Sequence, residues 1–248
     1  MKRRSAFLLG ILLTAVIISY PEYGNEINAY ATQSFELQLE NDQDNQESLN
    51  VILEDVPFIS QLEDYPNGCE AVSSVMILRY YGFDIDVDRF IDEFLPMGER
   101  PVVNGTGPDP ERVYCGDPRS KHGWGCYSPV IAEALEGFLG ESGYTYVHSY
   151  DRTLDSLCLE YIDNGHPVMI WATVDMSESE GLYACWSTSE GKRICYNRKL
   201  HCLVLTGYDD EFYYFNDPMR GKKVRYEREK TQRAYRELGM QSIAVIKR

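Results

Sequence analysis

No stretch of this sequence is apolar for long enough to cross a membrane. The longest mainly apolar run, Ala6 to Ser19, is 14 residues, against the roughly 20 that a helical span needs. Positive charge is scarce as well, with 24 Lys and Arg against 39 Asp and Glu and a formal net charge of -15. A surface of that sign repels phosphate backbones and anionic lipid, which argues against nucleic-acid binding and peripheral membrane work. It suits a soluble extracellular monomer and, more weakly, a cationic partner. Glycine and proline are not in excess, at 19 and 11 of 248 residues, and no internal repeat is present. Fibrous and low-complexity classes are therefore excluded. What remains is an ordinary globular composition, 44% hydrophobic and 25% charged, long enough for one well-buried domain or at most two small ones.

The N-terminus is the clearest punctuation. Lys2, Arg3 and Arg4 precede the apolar run, and Ala29-Tyr30-Ala31 offers small residues at the spacing a signal peptidase reads. Residues 1–31 are expected to be a signal peptide, or else an uncleaved anchor on the outer face of the cytoplasmic membrane. Either way the rest of the chain leaves the cytoplasm, and only such an anchor would tie it to a membrane. Cleavage would remove three cations and two anions and take the net charge to -16. Residues 32–50 are polar, acidic and aperiodic, which reads as a flexible spacer, with the folded domain over 51–248. Seven cysteines suit an exported chain with bridges and one leftover thiol. The close pairs Cys115/Cys126 and Cys185/Cys195 lie in loop-like sequence that a bridge would staple. Cys158 and Cys202 sit among apolar residues, as buried thiols do.

Periodicity predicts a helix over Cys69–Tyr81 ended by Gly82, and a second through Val87, Phe90, Ile91 and Phe94 behind an Asp86 cap. Ser128-Pro129 is expected to cap and start a third, running to about Leu139. Thr153 is expected to cap a fourth, ending at Asn164-Gly165. The period then changes. Pro167–Val174 is a continuous apolar run, and Leu200–Tyr208, Phe212–Asn216 and Ser242–Ile246 read as further strands, with Asp209-Asp210 as a hairpin turn. Helices first and strands later predict an α+β class. Residues 96–127 and 175–199 are long excursions with no strong periodicity, of the kind that is functional or stapled.

Cys69 follows Asn67-Gly68 and opens the first helix. There the positive end of the helix dipole favours a thiolate, and the preceding glycine allows a sharp turn. A thiolate nucleophile needs a base, and the base needs an orienting acceptor. Of the four histidines, His201 opens an apolar strand and Asp217 closes the next. Pairing across the Asp209-Asp210 turn brings them together within one or two residues of register. The bland alternatives are a cap-region or bridged cysteine, a core histidine and an Asp-Pro turn. His122, between Cys115 and Cys126, is read as a surface histidine beside a disulfide rather than a metal ligand. His148 and His166 have no evident partner. Neither metal nor cofactor is implied.

Several segments together resemble one family. These are Val56 to Gln61, Gly68-Cys69-Glu70-Ala71, Met76, Leu78, Tyr80-Tyr81-Gly82, Gly165 to Val168, His201 through Asp209, and Asn216-Asp217-Pro218. They resemble the bacteriocin-processing (double-glycine leader) peptidases, and more closely the secreted stand-alone domains related to them. The resemblance implies a papain-like fold, with N-terminal helices packed on a C-terminal antiparallel sheet. It also implies a Cys69–His201–Asp217 triad and a side-chain amide from Gln61 in the oxyanion hole. One departure is plain: Cys69-Glu70-Ala71 stands where Cys-Gly-Pro is frequent.

The expected chemistry is hydrolysis of a peptide or other amide bond through a thioester, on an extracellular peptide or protein, with cell-wall peptides as one option. Two alternatives share the fold: an acyltransferase or transpeptidase using the same triad, and a non-catalytic cell-surface binding module.

Overall fold

The computed structural model describes residues 51–179, 181 and 183–248. The expected export segment and acidic spacer lie outside them.

Five α-helices and eleven strands are present among the described residues. Helix α1, Cys69–Tyr80, is buried at every position from Cys69 to Leu78. Its polar residues Glu70, Ser73 and Ser74 are buried along with the apolar ones, because it runs through the interior rather than along a surface. Helix α2, Val87–Glu93, is capped as its sequence predicts, with Asp86 Oδ1 accepting from the Arg89 N–H at 2.7 Å. Helix α3 spans Ser128–Leu139, but Ser128 is its first residue rather than its cap. The Ser128 hydroxyl is occupied elsewhere, against Gln241 Oε1 and His148 Nε2, each at 2.7 Å. Helix α4, Leu154–Glu160, carries the expected Thr153 cap, and the chain turns out at Gly165 with φ +79°.

The main sheet is antiparallel at every recorded pairing. Its path runs β10 (Gly221–Glu227), β9 (Phe212–Asp217), β8 (Leu200–Tyr208), β5 (Val168–Thr173), β11 (Ser242–Lys247) and β4 (Tyr144–Ser149), with β1 (Val51–Ile52) also beside β8. Strands β5 and β8 are buried at every residue. Successive side chains of a strand point to opposite faces, so both faces must be covered. On one face Cys202 and Val204 of β8 pack with α1, α2 and α3; on the other Leu203 and Leu205 pack with α4 and with α5 (Arg228–Glu237). The expected helices-on-sheet arrangement is present, with a second helical layer behind it.

Of that layer α4 was expected and α5 was not, because the α5 sequence, REKTQRAYRE, shows a run of charge rather than an apolar stripe. Strand β4 was missed for a related reason: all six of its residues are half-buried, so no alternation marks it. The excursion at 96–127 holds a short parallel pair, β2 (Met97–Gly98) and β3 (Tyr114–Cys115). The excursion at 175–199 folds into a hairpin, β6 (Tyr183–Ser187) and β7 (Arg193–Asn197), with Cys185 directly opposite Cys195. These two form the disulfide; Cys115 and Cys126 do not. Cys115 pairs across the turn with Gly125, so Cys126 is one residue out of register and its thiol faces the other way.

Leu135 in α3 is 1% exposed and Leu159 in α4 is 60% exposed. Leu135→Ala is expected to cost about 2–5 kcal/mol of unfolding free energy through transfer and cavity terms, and Leu159→Ala about 0.5 kcal/mol or less. Urea unfolding of both variants measures the contrast.

Candidate active site

The site is assembled from three pieces of chain. The first is the loop from Gln61 to Cys69, folded by two tight turns in which Gln61 O accepts from the Tyr65 N–H at 3.0 Å and Tyr65 O from the Gly68 N–H at 2.8 Å. The Gln61 amide donates to Pro66 O at 3.1 Å. Gly68 has φ -97° and ψ 27°, which most residues can adopt. Close approach is what requires glycine there: a Cβ would come within 2.8 Å of Tyr65 Cβ. Cys69 follows as the first residue of α1.

The second piece is the start of β8. Ser73, one turn into α1, donates to Cys202 O at 3.2 Å. The Cys69 sulfur lies against the Cys202 main chain, which favours the thiolate. His201 is the neighbouring residue and is 2% exposed. The third piece is the end of β9. Val204 pairs with Asn216, which leaves His201 and Asp217 two residues off direct register, on a diagonal that long side chains bridge. His201 Nε2 and Asp217 Oδ1 are 2.8 Å apart. The strand-end meeting expected from the sequence is thus present.

Further contacts lock these pieces together. Gln61 N–H donates to Pro218 O at 3.1 Å, next to Asp217 in the chain. The Asn216 amide donates to Val56 O and Pro57 O at 3.0 and 3.1 Å, tying the segment that leads to Gln61 onto β9. Asp217 Oδ2 accepts from the Tyr226 hydroxyl and Oδ1 from the Met219 N–H, at 2.8 and 2.9 Å. Burial alone would raise the Asp217 carboxyl; His201, Tyr226 and Met219 outweigh it and hold the group below its ordinary value. Among the described residues, two buried side-chain polar atoms have no hydrogen-bond partner, His201 Nδ1 and Gln61 Oε1. Both belong to this site.

Position at a helix N-terminus led us to expect a favoured thiolate at Cys69. The resting site opposes it. Burial, and then the charge of Glu70, raise the Cys69 thiol well above its ordinary value. Glu70 is fully buried; its Oε2 accepts from Cys69 Sγ at 3.2 Å and its Oε1 from the Cys126 N–H at 2.9 Å. Gly125, at φ +133°, closes over it. A Cβ there would meet Glu70 Oε1 at 2.5 Å and Tyr196 Oη at 2.6 Å. Burial raises the Glu70 carboxyl from 4.5 to about 7 against these hydrogen bonds.

Two half-buried histidines have structural partners. His148 meets Ser128 Oγ at 2.7 Å, and His166 Nδ1 meets Tyr81 Oη at 2.9 Å. His122 is exposed and lines a cleft of about 390 Å³ that begins at Asn67, two residues before Cys69. Arg100, Lys121 and Arg198 line it too, with Trp124 and Tyr196, and no Asp or Glu does. Arg198 lies 5.8 Å from the Trp124 ring centre, in cation–π range. An acidic chain carries a cationic cleft that reaches the loop before Cys69 at Asn67, opposite in sign to what net charge suggests.

The family model described as "Peptidase_C39 like family" matches residues 53–243. The chain belongs to the Peptidase_C39-like family. It is 26% identical over 184 residues to the Bacillus subtilis (strain 168) protein YvpB, covering 73% of this chain and 70% of that one. A crystal structure of a C39-like protein from Bacillus anthracis superposes with a TM-score of 0.71 at 28% identity, covering 80% of this chain and 98% of that one. The peptidase domain of Streptococcus ComA, a bi-functional ABC transporter, is matched at 14% identity and a TM-score of 0.44, over 77% of this chain and 96% of that one. That last likeness is too loose to carry an argument.

Within this C39-like frame, sequence reasoning missed Glu70, Tyr226, Asn216 and the cationic cleft. For Glu70 a signal was visible: an acid immediately after the nucleophile candidate, where glycine is frequent. The others depend on strand register and loop packing.

A folded Glu70 that keeps its proton up to about pH 7, against 4.5 ordinarily, binds more protons than the unfolded chain between those values. Stability therefore falls as pH rises through that window and is flat above it. Relative to Glu70→Gln, the wild type is expected to lose about 3 kcal/mol across the window, measured by urea unfolding of both proteins from pH 4.5 to pH 8.

Proposed function

We propose that this chain is an exported cysteine peptidase that hydrolyses a peptide or related amide bond through a thioester on Cys69. The observation that carries the reading is the His201–Asp217 pair. Asp217 occupies Nε2 at 2.8 Å, which leaves Nδ1 buried and without a hydrogen-bond partner, on the residue next to the Cys202 main chain that Cys69 lies against. A base held in one orientation with its other nitrogen free is what thiol activation requires.

In the reaction, His201 Nδ1 takes the Cys69 proton and the thiolate attacks the scissile carbonyl. The Cys69 N–H, at the positive end of α1, and the Gln61 amide hold the developing oxyanion. The imidazolium passes its proton to the leaving amine, and a thioester remains. Water, deprotonated by His201, then releases the acid and restores the thiol. Asp217 stays charged throughout and steadies the imidazolium.

The cleft lined by Arg100, Lys121 and Arg198 supports a substrate with carboxylates near the cut bond, and carboxylate-rich cell-wall peptides fit that chemistry. The signal-like N-terminus supports export, and the Cys185–Cys195 bridge suits an oxidising compartment. The same groups would serve an acyltransferase if an amine replaced water. A non-catalytic binding module would not need a buried imidazole held by a carboxylate beside a thiol.

The test is digestion of acidic and neutral peptides by the purified chain, with products identified by mass spectrometry. Cys69→Ala is expected to abolish cleavage, and His201→Ala to lower kcat/KM by about 10³-fold or more. Gln61→Ala is expected to lower kcat by about 10²–10³-fold. Amine adducts in place of acid products would mark a transferase. Cleavage that survives Cys69→Ala, or a Cys69 no more readily alkylated in wild type than in His201→Ala, would overturn the reading.

The cleft makes a separate prediction. Arg100→Glu combined with Arg198→Glu is expected to raise KM for an acidic peptide by about tenfold or more. The effect should shrink as ionic strength shortens the Debye length below about 8 Å. Steady-state kinetics at low and high salt measure it.

A further inference from the structure

Glu70 is a buried acid that the proposed mechanism does not use, although it touches the nucleophile. Its Oε2 stands 3.2 Å from Cys69 Sγ while its Oε1 is held by the Cys126 N–H. Glycine at 125 makes room for the carboxyl, since a Cβ there would stand 2.5 Å from Oε1. The Cys126 N–H holds Oε1 and leaves Oε2 facing the thiol.

We propose that Glu70 is a positioning residue acting through Cys69: neutral, it donates a hydrogen bond to the Cys69 thiolate and keeps its proton, and charged, it holds Cys69 as a thiol. This rests on Cys69 being the nucleophile and deepens that reading. The two states differ by one proton. With Glu70 neutral, the Cys69 proton moves to His201 Nδ1, and the thiolate lies between an imidazolium and a carboxylic O–H donor. With Glu70 charged, a thiolate 3.2 Å away would meet a like charge in a dry interior. The proton therefore stays on sulfur, and the 3.2 Å Sγ–Oε2 contact accommodates it.

The titratable groups facing Glu70 come from several elements. They are Cys69 on α1, Tyr114 and Cys115 on β3, Cys126, Tyr196 on β7, and His201 and Cys202 on β8. Burial raises Tyr114, Cys126, Tyr196 and Cys202 well above their ordinary values and Cys115 to about 12. These five stay neutral across the physiological range. The raised Glu70 carboxyl, at about 7, puts the changeover near neutrality. Reactivity is present while Glu70 keeps its proton and is lost as pH rises through that value.

The experiment is the rate of iodoacetamide labelling of Cys69 in the full chain from pH 5 to pH 9, located by peptide mapping, for wild type, Glu70→Gln and His201→Ala. Gln keeps the shape, accepts from the Cys126 N–H and still donates to sulfur, but carries no titrating proton. Wild type is expected to fall about tenfold between pH 7 and pH 8. Glu70→Gln should stay within about threefold of the wild-type plateau and hold that rate through pH 8. A merely structural role would lower the Glu70→Gln rate without moving its alkaline limb. Superposable wild-type and Glu70→Gln profiles, with reactivity still lost in His201→Ala, overturn the Glu70 proposal alone. A Cys69 that is unreactive in wild type, or unaffected by His201→Ala, overturns the nucleophile reading and this proposal with it. Should Glu70→Gln not fold, the wild-type profile decides: a rate rising steadily to pH 9 overturns the proposal, and a falling limb above about pH 7 upholds it.

Discussion

The structure depends on α1 passing through the interior with polar residues on it. Glu70, Ser73 and Ser74 are fully buried along with the apolar residues around them. A buried polar group without a partner costs about 1–3 kcal/mol, so each of these must find one. Ser73 finds Cys202 O, Ser74 finds Glu70 O at 2.7 Å, and Glu70 finds the Cys126 N–H. The Ser73 bond ties α1 to β8 and the Glu70 bond ties it to the chain at Cys126, and the Cys69 sulfur lies against the Cys202 main chain.

The second half of the site is held by the sheet in the same manner. The β8–β9 pairing sets His201 and Asp217 on a diagonal, and Tyr226 from β10 closes on the acid from the next strand. Gln61 is drawn in by Pro218, and Asn216 holds the segment before it, so the loop before Cys69 and the end of β9 share anchors. Loop, helix and strand ends are thus cross-tied by groups that bear no chemistry themselves. A set of unlike side chains can hold one geometry without a metal or a disulfide between them.

Electrostatics in this site run against the simple expectation. A helix N-terminus favours a thiolate by a fraction of a kcal/mol up to about 2 kcal/mol. Complete burial beside a carboxylate opposes it by more, and the thiol is raised. A resting thiol hydrogen-bonded to Glu70 is consistent with a nucleophile that becomes reactive only when the neighbouring proton is in place. The chain's surface shows a similar contrast, with a net charge of -15 overall and a cationic cleft at Asn67. Net charge is a sum over the whole chain, while recognition depends on the few charges within a Debye length.

The sequence by itself determined the helices α1 to α4, the strands β5, β8, β9 and β11, and the meeting of His201 with Asp217. Each follows from local physics: apolar period, caps at Asp86 and Thr153, and a hairpin whose two ends must be neighbours. Only the tertiary structure decided the rest. Helix α5 and strand β10 are mostly charged, and what buries their few inward residues is the far face of a sheet built from distant segments. The Cys115/Cys126 bridge failed because register, which spacing along the chain does not encode, turned the two thiols apart. Glu70 stands in plain view after Cys69, but whether an acid there is solvated or sealed depends on Gly125 and Tyr196, more than 50 residues away in the chain. Burial is a property of the assembled fold, and burial sets that carboxyl's charge.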